Sequence, residues 1–385
     1  MTRLAVVADP HIDDYGTRID PEFGLNARFV DSLTALGWVA DDARKRGCDA
    51  LIVAGDFTEN RHPAPWRVAM IEDQLRRFAG HHDRPYDGRT ILVRGNHDGL
   101  RSGLSIVDVL AHGLPNAHGW SRPGIDRVGS TAVCVIPYLD RSWLRSRPGF
   151  EHVPDADLFR ILAEQYLTIA RGLYAEATDD EHVTESVLVV HQSLSGGLMS
   201  DTQQAFLGEH GLVVDTTQLA AIGYHAILAG HFHLHQVLHR SPLIAYAGSP
   251  YRTDFGEEHQ PKGYMVVDTV DPDGFEFVEN PRARRFVTLR GDDWADQLGD
   301  IESAVVRVLD LDPTADPSSV RAQLEALGAF DVTEVRPRRA ERPEEAVGMS
   351  EDLTSEQALE AWFDADEDRE ALVTRGRELL AEALA

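Results

Sequence analysis

The sequence predicts an α/β fold in which buried β-sheets are flanked by helices, and three observations carry that prediction. Short apolar runs rich in Val, Ile and Leu recur through the first two-thirds of the chain, without the polar alternation of half-exposed strands. Amphipathic helical patterns separate the early runs, as in α/β proteins. The chain has 385 residues, 43% of them hydrophobic, enough for one large core plus smaller units.

Residues 4–7, 51–53, 91–93, 187–190 and 226–228 read as buried strands, and 27–46 and 65–78 as amphipathic helices. Residues 266–278 read as a hairpin turning at Asp271-Pro272-Asp273-Gly274, where Pro and Gly supply the turn dihedrals. A smaller unit follows, with a strand at 303–309, a helix at 317–327 and a strand at 331–335. The run Arg336-Pro337-Arg338-Arg339-Ala340-Glu341-Arg342-Pro343 reads as a linker. Beyond about Ser350 the chain is acidic and helical, with Leu353, Ala358, Leu359, Trp362 and Phe363 able to form an apolar face. The division is therefore 1–282, a large α/β unit; 283–340, a small α+β module; and 341–385, an acidic linker and helical segment.

Composition narrows the function classes. There is no apolar run of 18 residues, so no membrane span is expected. The first apolar run passes straight into Asp9 and is too short for the core of a signal peptide. Cys48 and Cys134 read as free buried thiols. These features together favour the cytoplasm. The net charge of −27 argues against a nucleic-acid partner when taken alone, because duplex binding is driven by cations meeting phosphates. The charge is uneven, however: residues 341–385 hold 14 Asp/Glu against 4 Lys/Arg. Arginine does nearly all the cationic work. Arg282, Arg284 and Arg285, and then Arg336, Arg338 and Arg339, bracket the small module as candidate phosphate contacts.

Each of the five apolar runs ends in residues able to bind metal. They run into Asp9-Pro10-His11, Gly55-Asp56, Gly95-Asn96-His97-Asp98, His191 and Gly230-His231-Phe232-His233. Sites in α/β sheets lie beyond the carboxyl ends of the strands, so these residues should converge on one crevice. The neighbouring glycines allow tight turns and close backbone approach. Any one part has a plain reading: a turn or cap for Asp9-Pro10-His11, a satisfied core histidine for His191. Their joint occurrence, in order and at strand ends, does not. Carboxylate, imidazole and amide donors without thiolate suit manganese, iron or zinc in a catalytic rather than a structural site. Seven donors are too many for one ion and suffice for two, about 4 Å apart, with one bridging carboxylate.

The series Asp-x-His, Gly-Asp, Gly-Asn-His-Asp, His, Gly-His-x-His resembles the calcineurin-like metallophosphoesterases over roughly residues 1–280. The resemblance implies one divalent ion on Asp9, His11, Asp56 and His233, and a second on Asp56, Asn96, His191 and His231. It implies that His97 contacts the scissile phosphate without binding metal, with Asp98 orienting it. Within the superfamily, Val189-Val190-His191-Gln192-Ser193, then Gly248-Ser249-Pro250, Phe255-Gly256-Glu257 and Lys262-Gly263, resemble SbcD-like DNA nucleases. That narrower resemblance implies a manganese-dependent DNA exonuclease and endonuclease of double-strand-break repair and recombination. It also implies a capping module that helps hold DNA and a C-terminal helix that binds an SbcC-like ATPase, with a homodimer left open. The chain departs from archaeal and eukaryotic relatives after Gly55-Asp56, where His62 is the candidate for their histidine, and at Tyr224-His225, where Asp-Tyr is usual. A phosphatase or cyclic-nucleotide phosphodiesterase acting on a small substrate is the alternative, and a scaffold with a lapsed metal site is a third reading. No Gly-x-x-x-x-Gly-Lys-Ser/Thr phosphate loop occurs, so energy for opening duplex DNA would come from another chain.

Overall fold

The computed structural model describes residues 2–99, 105–200, 203, 211–299, 301–338 and 372–377. Two six-stranded sheets pack face to face. The first runs, in spatial order, Glu276–Glu279, Gly263–Asp268, Arg3–Val7, Ala50–Ala54, Arg89–Val93 and Ala117–Trp120. Its last four strands are mutually parallel, and the Gly263–Asp268 and Glu276–Glu279 hairpin adds an antiparallel edge. The second runs Gln236–Arg240, Leu243–Tyr246, Ala226–Gly230, Glu185–His191, Thr131–Ile136 and Gly124–Val128, with its four inner strands parallel. The five expected strands are present, distributed over both sheets. Gly124–Val128, Thr131–Ile136, Gln236–Arg240 and Leu243–Tyr246, not expected from the sequence, complete the second, and Ala117–Trp120 adds to the first.

Alternation within each strand explains why both faces are apolar. Val6, Ile52 and Ile91 point into the space between the sheets, against Val133, Val187 and Leu228, all of them inaccessible to solvent. Their neighbours Val7, Leu51 and Leu92 face helices Ala27–Lys45 and Pro65–Ala79 on the outside. On the other side Cys134, Leu188 and Ile227 face helix Asp155–Asp179 through Leu158, Leu162, Tyr166 and Leu173. Truncating Ile52 to Ala at the centre of this sandwich would cost about 2–5 kcal/mol through lost burial and a residual cavity. Asn26 starts the first helix, its side-chain oxygen accepting from the amides of Arg28 at 2.9 Å and Phe29 at 3.1 Å. Cys48 and Cys134 are buried free thiols. No described helix is long and apolar enough to cross a membrane.

Strands Phe286–Arg290, Val305–Leu311 and Asp331–Pro337 form a separate parallel sheet with helix Pro317–Ala326 and a core of its own. The module packs on the large unit. Arg284 pairs with Asp31 at 2.6 Å and lies over the Phe330 ring, and Arg28 lies over Phe286. Of the arginines expected to meet phosphate, Arg284 takes part in that docking. Arg285 donates to the Glu302 carbonyl, Arg336 pairs with Glu334 and Arg338 with Asp292, while Arg339 lies outside the described residues. So do Leu353, Ala358, Leu359, Trp362 and Phe363; residues 372–377 are helical.

Candidate metal centre

Loops at the carboxyl ends of both sheets meet over the seam between them. Backbone bonds stitch the first two loops together: Asp9 N–H to Gly55 O at 3.0 Å, His11 N–H to Asp56 O at 2.9 Å. Among the described non-glycine residues only seven have positive φ, and four of them, Asp9, His11, Asp56 and His231, are here. Such backbone costs free energy and concentrates where a site demands it. Gly55 and Gly95 make room. A Cβ on Gly55 would lie 2.1 Å from the His191 ring nitrogen Nδ1, and one on Gly95 would lie 2.1 Å from Asp56 Oδ1.

The expected ligands come together in two adjoining sets. Asp9, His11 and His233 converge in one, and Asp56, His191 and His231 in the other. Asp56 faces both, with Oδ2 3.7 Å from His11 Nε2 and 3.2 Å from His191 Nε2. Asn96 Oδ1 lies 3.1 Å from the same His191 nitrogen. His191 Nδ1 donates to the Ala54 carbonyl at 2.7 Å, which fixes the tautomer and turns Nε2 toward Asp56. Asp9 accepts from the His231 amide at 3.0 and 3.1 Å, tying the second sheet's loop to the first.

The electrostatics of this cluster call for cations. Asp9 and Asp56 are buried, and among the described residues neither pairs with Lys or Arg. Burial raises the Asp9 carboxyl despite His191 and His233. Burial also opposes charge on Asp56, yet His191 and His11 hold that carboxyl well below the usual range. Burial works against a charged His191, but Asp56 and Asp9 push its pKa up to about 9. Burial and the neighbouring His191 push His231 down to about 3. Two buried carboxylates thus draw a proton onto one imidazole, the position a bound divalent ion would take over. The donor set fits metal ions.

Three residues outside the expected set shape the site. Glu257, wholly buried, hydrogen-bonds His233 Nδ1, and its other oxygen lies 3.1 Å from the buried Lys262 ammonium and 2.8 Å from the Thr253 amide. Burial opposes its charge, but Lys262 and His233 hold the Glu257 carboxyl well below the usual range. This gives Glu257 and Lys262 of the Phe255-Gly256-Glu257 and Lys262-Gly263 series a role: a carboxylate fixes the His233 imidazole, and a lysine neutralises the carboxylate. Glu59 is the third, with Oε2 2.8 Å from His11 Nδ1. It reaches the site from the loop that also carries His62, which is exposed.

Asp98 corrects the expected role. Its carboxylate accepts from the amides of Asp56, Phe57 and Gly95, each at 2.8 Å, and no hydrogen bond joins it to the His97 ring among the described residues. It shapes the loop carrying Asp56. His97 Nδ1 instead meets the Glu59 carbonyl at 3.1 Å, leaving Nε2 for the cleft, and its ring stands edge-on to His11 at 5.1 Å. Tyr224 and His225, the other departure, are structural: Tyr224 donates to the Ala170 carbonyl and His225 Nδ1 accepts from the Ser186 amide. An open cleft of about 560 Å³ lies over the cluster, lined by His11, Asp56, Asn96, His97, His231 and His233 among others.

A profile of the calcineurin-like phosphoesterases matches residues 2–235, and the chain belongs to that family. It is accordingly a metal-dependent phosphoester hydrolase, in a fold that uses divalent metals. The chain is similar to the SbcD component of the SbcCD nuclease of Escherichia coli strain K12, at 22% identity over 92% of this chain and 90% of that protein. The same component from Staphylococcus saprophyticus is 21% identical over 57% of this chain, a match spanning 55% of the relative's length. A dimetal phosphatase from Danio rerio superposes with a TM-score of 0.43 and 12% identity, covering 69% of this chain and 94% of that one.

Proposed function

We propose that the chain is a manganese-dependent DNA phosphodiesterase, the nuclease subunit of an SbcCD-like complex in DNA repair or recombination. The observation that carries the reading is the pair of adjoining ligand sets facing one carboxylate, Asp56, beneath an open cleft. Similarity to an SbcCD nuclease component along nearly the whole chain supports the choice of DNA over a small substrate.

In this reading Asp9, His11, Asp56 and His233 hold one ion, and Asp56, Asn96, His191 and His231 hold the other. Two such ions, when bound, activate water and offset charge developing on a phosphoryl group. Asp56 separates the two positive charges, and Glu257 keeps His233 in its ligating orientation. Asp98 holds the Asp56 loop through three amides. His97 is the proton-donating residue: its Nε2 faces the cleft and gives a proton to the 3′ oxygen as the P–O bond breaks. Residues 1–282 carry this chemistry and 283–340 cap it. The segment 341–385 carries the anchor for an SbcC-like ATPase, and a homodimer is compatible with that arrangement.

The test is kcat/KM for manganese-dependent cleavage of linear DNA, set beside a cyclic nucleotide and a phosphomonoester. The reading expects DNA to be preferred. Preference for either small substrate would make the chain a small-molecule phosphoesterase.

A further inference from the structure

A second cavity, of about 500 Å³, is lined by Arg94, two residues before Asn96 of the metal cleft, and by Ser121, Arg122, Asp140, Ser142 and Arg147 among others. We propose that it is an anion subsite that holds a backbone phosphate of the bound strand, flanking the scissile one. The inference rests on the DNA-cleaving reading above and assigns part of its substrate contact.

The charge pattern is the first ground. The chain has 64 acidic against 37 basic residues, and the described arginines include both paired and unpaired ones. Arg46 pairs with Asp42 and Glu276, Arg67 with Asp13 and Asp14, and Arg160 with Asp157 and Glu164. Arg94, Arg122 and Arg147 line one cavity, and none of them forms an ion pair among the described residues. Asp140, Asp98 and Asp108 offset part of the Arg94 charge, whereas Arg122 and Arg147 offer guanidiniums to which an anion would bind by charge-assisted hydrogen bonds.

Built geometry is the second ground. Arg94 is half-buried; its Nη2 donates to the Tyr138 carbonyl at 2.6 Å, and its Nε is buried without a partner. Arg147 lies over the Trp143 ring at 4.6 Å, a stacking that limits its freedom. Ser121 and Ser142 add hydroxyl donors. Asp140 is the one carboxylate in the lining, and it accepts from the Trp143 amide at 2.8 Å.

Position is the third ground. Arg94 precedes Asn96 by two residues, a span of at most about 7 Å. Its carbonyl accepts from Tyr138 N–H at 2.9 Å, and the Tyr138 ring flanks His231 at 5.7 Å and His191 at 6.2 Å. The cavity is thus linked through Arg94 and Tyr138 to the Asn96, His191 and His231 side of the cleft. A strand lying across the cleft presents a phosphate at every nucleotide, so one flanking the scissile phosphate can be met from this side of the cleft. Arg61 and Arg141, both exposed, also act on Tyr138 electrostatically, against Asp140 and Asp56.

The test measures binding of a fluorescein-labelled single-stranded oligonucleotide by anisotropy across a salt series. It uses full-length His97→Ala protein with manganese, so that the strand stays whole. Adding Arg122→Ala and Arg147→Ala should weaken binding and lower the slope of log K against log salt by about 1.4, two contacts at about 0.7 each. Arg122→Lys with Arg147→Lys should restore the slope. Arg171→Ala with Arg240→Ala removes the same charge elsewhere; Arg240 sits opposite Leu243 at the far end of its sheet, and the slope should stay. Elemental analysis checks that the metal content of each variant is unchanged. An unchanged slope in the Arg122 and Arg147 alanine variant, an equal loss in the Arg171 and Arg240 control, or no binding at all would overturn the subsite. Wild-type protein that binds the strand but does not cut it would overturn the nuclease reading and leave the subsite standing.

Discussion

Glu257→Gln should weaken metal binding and destabilise the fold, and the two effects separate. The side chain is fully buried between His233 and Lys262. Glutamine keeps the shape and removes the charge. His233 then loses the carboxylate that fixes its ring, and loss of such a partner costs about 10–100-fold in metal affinity, or about 1.4–2.7 kcal/mol. The Lys262 ammonium is left buried with neutral acceptors only: Ser249 Oγ at 2.8 Å, Gln260 Oε1 at 3.1 Å and the His233 carbonyl at 3.3 Å. Breaking a buried ion pair costs about 3–5 kcal/mol, and these acceptors place the loss near the lower end of that range. Thermal melting in EDTA reads the stability, and a calorimetric manganese titration reads the affinity. Adding Lys262→Met removes the stranded charge, so the double variant should recover most of the melting temperature and none of the affinity. Wild-type affinity in Glu257→Gln, or affinity restored by Lys262→Met, would refute the claim that Glu257 acts through His233.

Three further outcomes follow from the geometry. Gly95→Ala forces Asp56 aside, so cleavage should fall by about 100-fold or more, as misplacement by an ångström can cost that much; Gly172→Ala, in helix Asp155–Asp179 with open space around it, should leave cleavage and metal content as they are. Metal binding should release a proton below about pH 9, because His191 is charged in the metal-free protein until its raised pKa of about 9 is passed. Affinity should then rise with pH between about 7 and 8.5, and calorimetry in buffers of different ionisation enthalpy that finds no proton release at about pH 7.5 would contradict this. Deleting residues from 350 onward should leave manganese-dependent cleavage of single-stranded DNA nearly intact while abolishing co-purification with an SbcC-like ATPase; undiminished association would put the partner surface elsewhere.

Much of the site was legible because its chemistry sits at the ends of apolar runs. A strand buried on both faces announces itself by composition, and the polar residue that ends it is conspicuous. Asp9, His11, Asp56, Asn96, His191, His231 and His233 are brought together in that way. Assigning strands to two sheets was not legible, since a run such as Val187–Val190 carries no mark of its partner. Thr131–Ile136 ends in no ligand and drew no attention, although the tyrosine that follows it, Tyr138, flanks two site histidines. Asp98 shows the limit of adjacency: next to His97 in sequence, it turns instead to three amides. Glu257 lies 24 residues from His233, a relation only the fold reveals. The one available signal was Lys262, one of only two lysines in the chain, close to a glutamate. Charge counts also do not show pairing: in the small module Arg284, Arg336 and Arg338 lie beside Asp31, Glu334 and Asp292.

The most direct measurement of the central claim takes metal content and DNA cleavage on the same preparations of wild type, Asp56→Ala and His97→Ala. Wild type should hold two manganese ions per chain and cut single-stranded DNA. Asp56→Ala should lose at least one ion and nearly all cleavage, because both ligand sets face that carboxylate. His97→Ala should keep both ions and lose cleavage if, as proposed, its ring serves the phosphate. An Asp56→Ala protein with two ions and normal turnover, or a His97→Ala protein that loses an ion, would contradict the account.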